Sequence, residues 1–493
     1  MRGIVMRFGR VGTALAVLAM LSSCGGGGGG GNTGGGGGGG TGATPPPPPP
    51  PATTAGCSLR ERQDWAFAQL NEWYLFPETL PTNLNPNNYS TVDAYIDALT
   101  ANARAQGRDR FFTYLTSIAE ENAYYNSGSS AGFGFRLAYD TGAGRVFVAE
   151  TFEGTTALAA GIDRGTEIIA IGTSASNLQT VSSLMASGGP QSVVNALGPN
   201  NTGLSRVLRV RDVGASTTRD VTISKTDYTL DPVSSRYGAK IIDDGGKKVG
   251  YLNLRTFINT ADPALRNAFA SFKAAGVTQL IVDLRYNGGG LVSISELMGD
   301  LMGANRSTSD VFSYTTFRSS KSQYNETDFF SPLPQSIAPM KVAFIGTGST
   351  ASASELLINA FIPYLGNNMA LIGSNTYGKP VGQIALDRTA CDDRLRVIAF
   401  ATQNANKQGD YYQGLAKTVP QSCQAADDIT KPLGDPAEAS VARALDFLAG
   451  RACTPITASA GGITAQSVKE NVGGSLLSPE RPNTAQRETP GSF

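Results

Sequence analysis

Apolar residues recur at helical spacing early in the chain. Trp65, Phe67, Leu70, Trp73 and Leu75 form one group, Val92, Tyr95, Ile96 and Leu99 a second, and Phe111, Phe112, Leu115 and Ile118 a third. A period near 3.6 marks helices with one buried stripe, so residues 57–126 are expected to form a small helical domain. Residues 127–234 follow as a separate unit, in which Arg145-Val-Phe-Val-Ala-Glu150 reads as a strand by residue type. From Lys247 short apolar runs alternate with amphipathic stretches. Strands are expected at 247–257, 278–284, 341–345, 369–374, 381–387 and 395–402. Helices are expected from Asp262-Pro263 to Gly276, over 291–302, and over 355–361, where Pro363 is the stop. Asp435-Pro436 caps a last helix that Gly450 ends. This alternation predicts α/β packing over 235–453. Residues 454–493 are small and polar without a period, and read as a disordered tail.

The first 56 residues lack any such pattern. Residues 1–23 have a basic start (Arg2, Arg7, Arg10) and an apolar run from Val11 to Leu21, the composition of a secretion signal. The run is too short for an ordinary membrane span. Leu21-Ser-Ser-Cys24 matches a bacterial lipobox, which implies cleavage before Cys24 and lipidation of its thiol. Gly25 follows rather than Asp, as for an outer-membrane destination with a periplasmic face if the source is Gram-negative. Residues 24–56 hold a glycine run and Pro45–Pro51, a floppy tether and a stiff polyproline spacer. Together they would hold a folded body near a lipid surface.

Lys+Arg and Asp+Glu both number 40, and nothing in this balance calls for a nucleic-acid partner. Beyond Cys24 four cysteines remain, an even count that suggests disulfides in an exported chain. Four cysteines allow three pairings. Cys391–Cys423 and Cys57–Cys453 are favoured, the second as a clip across the ends of the folded body.

The chain contains His 0. A Ser-His-Asp triad and histidine metal sites are therefore impossible, and hydrolysis near neutral pH needs another base. A lysine serves if burial lowers its pKa from about 10.4 towards roughly 7–8. Residues 349–383 offer this set: Ser352 as nucleophile, Lys379 as general base, and Gln383 to hold the amine. A strand, a tight turn and a helix place Ser352 at a helix N-terminus, where unpaired N–H groups can stabilise an oxyanion. Taken singly, each residue has a plainer reading. Ser352-Ala-Ser-Glu355 is also a capping box, and Lys379 alone would be a solvated turn lysine.

The segment resembles the carboxyl-terminal processing peptidases, or tail-specific proteases, over roughly residues 57–450. Thr350-Ala-Ser-Ala-Ser-Glu355 is similar to the family's nucleophile motif, and Gly378-Lys-Pro-Val-Gly-Gln383 to its base motif. The resemblance implies a Clp protease/crotonase-like catalytic domain in a multi-domain α/β protein. It implies oxyanion donors from the Ala353 N–H and from Gly288 or Gly289, without choosing between the two. Residues 127–234 resemble a PDZ domain, with Gly132-Phe133-Gly134-Phe135 as its carboxylate-binding loop. The implied function is a cell-envelope serine endopeptidase that takes proteins by accessible C-termini and needs no metal or organic cofactor. The sequence leaves the oligomeric state open. The alternative is a catalytically silent ligand- or peptide-binding lipoprotein on the same scaffold.

Overall fold

The computed structural model describes residues 54–457 and 475–493. The signal, Cys24 and the glycine and proline runs lie outside the described residues. At the centre is a six-stranded sheet in the order 239–244, 247–253, 279–283, 341–346, 369–373, 422–424. The first pair is antiparallel and the remaining pairs are parallel. Alternate residues of its strands face opposite layers, as a period of two requires. Leu252, Leu280, Val282, Val342 and Phe344 pack with helices Ala261–Ala274, Val292–Met302 and Ala353–Leu365. Tyr251, Ile281, Ala343, Ile345 and Ile372 pack with helix Ala439–Leu448. Both faces are covered, which is why these strands read as nearly continuous apolar runs.

Most expected elements fall within a residue or two of their observed positions. Pro363 does not end its helix, which runs on to Leu365. The last helix starts at Ala439, capped by the Glu438 side chain accepting from the Val441 N–H, and not at Asp435-Pro436.

Residues 57–126 are not wholly helical. Tyr114–Ser117 is a strand that pairs with Asp393–Gln403 in a second, five-stranded sheet. Helices Leu59–Trp73 and Val92–Leu99 bury their apolar stripes against Val381, Leu395, Val397 and Ile398 of that sheet. The N-terminal helices thus share a core with the region that carries Lys379 and Gln383.

Residues 129–229 build the remaining β-structure. Strands 135–140, 145–151, 167–172, 205–211 and 219–224 lie in one seven-stranded sheet with the kinked helix Val181–Leu197 packed on it. Strand Ser129–Gly132 pairs separately with Thr226–Thr229. The sixth strand, Gln179–Thr180, pairs with Glu167–Gly172, and the seventh comes from the other end of the chain: Ser475–Leu476 pairs with Phe135–Asp140. The described residues 475–493 also include a helix at Thr484–Glu488. This corrects the expectation of disorder there, because the order comes from tertiary edge pairing that composition does not encode.

The disulfides also differ from the favoured pairing. Cys57 bonds Cys391 and Cys423 bonds Cys453. Cys391 sits beside the strand against which the first helix packs, so Cys57 meets it directly. Cys453 lies just past the last helix, alongside strand Ser422–Gln424, where its thiol meets Cys423.

Candidate active site

Three chain segments meet at the ends of the central parallel strands. The first follows strand Gln279–Asp283. Here buried Asp283, Arg285 and Glu438 form a network with half-buried Asp427, with Arg285 donating to Asp283 at 3.0 Å, Asp427 at 3.0 Å and Glu438 at 2.8 Å. Breaking one partner of such a network would leave a buried charge uncompensated. The network fixes the base of the Asn287–Gly290 turn, just after Tyr286, whose φ is 66°.

The second segment is the turn into helix Ala353–Leu365. Thr350 Oγ1 donates to Leu284 O at 2.8 Å, and the Ala351 N–H donates to Asn287 O at 3.1 Å. Ser352 is the N-cap and has φ 55° and ψ −117°. This is a strained backbone for a non-glycine residue, of order ~1–3 kcal/mol, of the kind that clusters at functional sites. The Ala353 N–H is among the first of the helix, which have no intrahelical acceptor.

Gly289 meets this turn closely. A Cβ at Gly289 would lie 2.7 Å from Ser352 Cβ, so only glycine fits. The Gly289 N–H is committed to Asn287 Oδ1 at 2.9 Å, whereas the Gly288 N–H points outward and donates to Glu488 O at 2.9 Å. Of the two glycines, Gly288 is the one with a donor aimed out of the turn.

The third segment carries Lys379 and Gln383. Lys379 Nζ donates to Gln383 Oε1 at 2.8 Å, and Gln383 Nε2 donates to Phe112 O. The amine also lies 5.2 Å from the Phe112 ring centroid. Burial lowers the Lys379 pKa to about 8, with the nearby Glu488 carboxylate opposing that shift.

Glu355 ties the second and third segments together. Its Oε2 accepts from the Ser352 N–H at 3.2 Å and from the Lys379 N–H at 2.7 Å. Its Oε1 accepts from Thr376 Oγ1 at 2.6 Å and from the Gly378 N–H at 2.7 Å. The sequence marks Glu355 only as the partner in a capping box. Its further reach to residues 376–379 depends on a turn distant in sequence. Glu355 thus joins the backbones of Ser352 and Lys379, the turn at Gly288 and Gly289 abuts Ser352 and Ala353, and Lys379 meets Gln383. Gly132–Phe135 lie apart, at the start of edge strand 135–140, where Gly134 and Phe135 donate to Phe493 O.

An amine whose pKa burial lowers to about 8, a hydroxyl at a helix mouth and outward N–H groups suit acyl transfer. Residues 248–412 match the Peptidase family S41 model, and residues 61–114 match the Peptidase S41 N-terminal domain. The chloroplastic C-terminal processing peptidase of Tetradesmus obliquus is 30% identical over 280 residues, 53% of this chain and 54% of its own. The carboxyl-terminal-processing protease of Picosynechococcus sp. is 25% identical over 258 residues, 51% and 55% of the two chains. The chain thus spans about half the length of these relatives. An S41 protease of Bacteroides fragilis NCTC 9343 shares the fold at TM-score 0.59 and 22% identity, covering 78% of this chain and 97% of that one. Preceded by that family's N-terminal domain, a Peptidase family S41 domain is present in the chain, and its named relatives are carboxyl-terminal processing proteases.

Proposed function

We propose that this protein is a serine endopeptidase that cleaves proteins delivered by their C-terminal segments, with Ser352 as nucleophile, Lys379 as general base and Gln383 as its orienter. One observation carries the reading. In a chain with His 0, the Lys379 amine is desolvated to a pKa of about 8 and hydrogen-bonded to Gln383 at 2.8 Å. Its backbone shares one carboxylate oxygen with that of Ser352.

The steps follow from these groups. Neutral Lys379 takes the proton from Ser352 Oγ as the oxygen attacks the peptide carbonyl. The N–H groups of Ala353 and Gly288 receive the developing oxyanion, the interaction that grows most between ground and transition state. Lys379 returns the proton to the departing amine, leaving an ester on Ser352. Water, losing its proton to Lys379, then attacks the ester, and the proton passes back to Ser352 Oγ as the acid leaves.

Residues 127–234 act in this reading as a PDZ-like module. What supports it is strand Phe135–Asp140, an edge that already accepts an added strand, with Gly132–Phe135 leading into it. Lipidation at Cys24 would hold the enzyme at the cell envelope, with residues 25–56 as its tether. The test is incubation of the purified protein with a disordered substrate, read by mass spectrometry. Cleavage is expected from the wild type and from neither Ser352→Ala nor Lys379→Ala. Wild-type cleavage by either variant rejects the assignment.

A further inference from the structure

Residues 475–493 run from the edge of strand 135–140 to the glycine turn and the surroundings of Lys379. Ser475 and Leu476 pair with Tyr139 and Ala138, and the Leu477 N–H donates to Leu137 O at 2.9 Å. The chain then leaves the strand, forms helix Thr484–Glu488 beside the glycine turn, and returns to the same edge. There the Leu137 N–H donates to Gly491 O at 2.9 Å, Ser492 bridges to Arg136, and the Phe493 N–H donates to Phe135 O at 3.0 Å. The free edge of strand 135–140 is thus filled by the protein's own backbone, the mode by which an extended peptide adds to a sheet.

We propose that residues 475–493 are a built-in occupant of the peptide-binding edge and the candidate active site, so that a substrate must displace them to be cut. The consequence for cleavage rests on the peptidase reading, whereas the seating does not.

Three contacts place the segment where a substrate would lie. At the loop, Phe493 O accepts from the Gly134 N–H at 3.0 Å, and a Cβ at Gly132 would lie 2.6 Å from the Phe493 carbonyl carbon. Phe493 is 2% exposed and belongs to the same apolar core as Phe133, Leu184, Val193 and Leu197. At the turn, Glu488 O occupies the outward Gly288 N–H, and a Cβ at Gly288 would meet Arg487 O at 2.0 Å. At the base, the Glu488 carboxylate is buried, accepts from Tyr125 at 3.0 Å and interacts electrostatically with Lys379. An anion beside that amine favours its protonated form, in which it cannot accept the serine proton.

The segment is shaped to sit there rather than to be cut. The Thr489 N–H donates to Ala485 O at 2.7 Å, so the Glu488–Thr489 peptide group is wound into a helical turn instead of lying extended. Arg136 reinforces the seat by donating to both Tyr286 O, at the glycine turn, and Pro490 O. The occupant also indicates its competitor: a segment with a large apolar residue preceded by small ones, as Phe493 follows Gly491 and Ser492.

The test compares the full-length protein with Phe493→Asp, which places a charge in the apolar pocket. Hydrogen exchange at 475–493 reads the seat, and β-casein cleavage reads its effect. The wild type is expected to protect these amides. The variant is expected to release them and cleave about tenfold faster, the gain if the tail is seated nine-tenths of the time. A synthetic peptide of residues 475–493 should return the variant to the wild-type rate. If Phe493→Asp fails to fold, Arg481→Glu, which sets like charge against Asp93 and Asp97, should raise cleavage about twofold to fivefold. Unprotected 475–493 amides in the wild type, or an unchanged rate after their release, overturn the proposal. Protected amides released by Phe493→Asp with cleavage by no form support the seat and refute the peptidase reading instead.

Discussion

Replacing Glu355 by Gln alters a single atom in the group that joins the Ser352 turn to the Lys379 segment. The carboxylate accepts four hydrogen bonds, two per oxygen. An amide keeps one oxygen and turns the other acceptor into a donor. Placing the NH2 at the Oε2 position would face it with two backbone N–H groups, of Ser352 and Lys379, neither of which can turn away. At the Oε1 position it meets the Gly378 N–H and the Thr376 hydroxyl, and the hydroxyl can rotate to accept. The second orientation is therefore the cheaper, and it orphans one buried N–H. That costs about 1–3 kcal/mol of stability. Displacing the turn by a fraction of an ångström also loosens the alignment of Ser352 with Lys379, with an expected activity loss of about 100-fold. Urea unfolding of Glu355→Gln beside wild type measures the first effect, and cleavage of β-casein the second. Wild-type stability together with undiminished cleavage would refute the linking role of Glu355.

Further expectations concern pH, the glycine turn and the cross-links. Cleavage should rise with pH through about 8 as the Lys379 amine becomes neutral, which a pH–rate profile checks. The same shift makes the folded state gain stability with rising pH between about 8 and 10.5, because the unfolded chain holds the proton more tightly in that window. Gly289→Ala should abolish cleavage, since its Cβ would press on Ser352 Cβ at 2.7 Å; kinetics of the purified variant measure this. Non-reducing peptide mapping should recover Cys57–Cys391 and Cys423–Cys453. Their sequence separations are 334 and 30, so loss of the first should cost more in urea unfolding, about 5–6 against about 3–4 kcal/mol.

What the sequence discloses about this molecule is what is local. Ser352, Lys379 and Gln383 are readable because two short motifs and the absence of histidine leave few other chemistries. The central strands are readable because burial on both faces makes them apolar runs. Where a feature depends on meetings across the chain, the sequence is silent or misleading. Cys57 pairs with Cys391 because the first helix packs on the second sheet, which no spacing encodes. Tyr114–Ser117 looks helical by its neighbours, yet it is a strand because Asp393–Gln403 offers it an edge. Residues 475–493 carry too few apolar residues to predict order, and their order is supplied by the edge of strand 135–140. Gly288 is distinguished from Gly289 only by where each N–H points.

In the proposed peptidase, Ser352 is made nucleophilic by a neutral Lys379. Treating the full-length protein with a fluorophosphonate and mapping the adduct by mass spectrometry tests this directly. Modification is expected at Ser352, faster at pH 9 than at pH 6 and lost in Lys379→Ala. No adduct at Ser352, or equal labelling without the Lys379 amine, would contradict it.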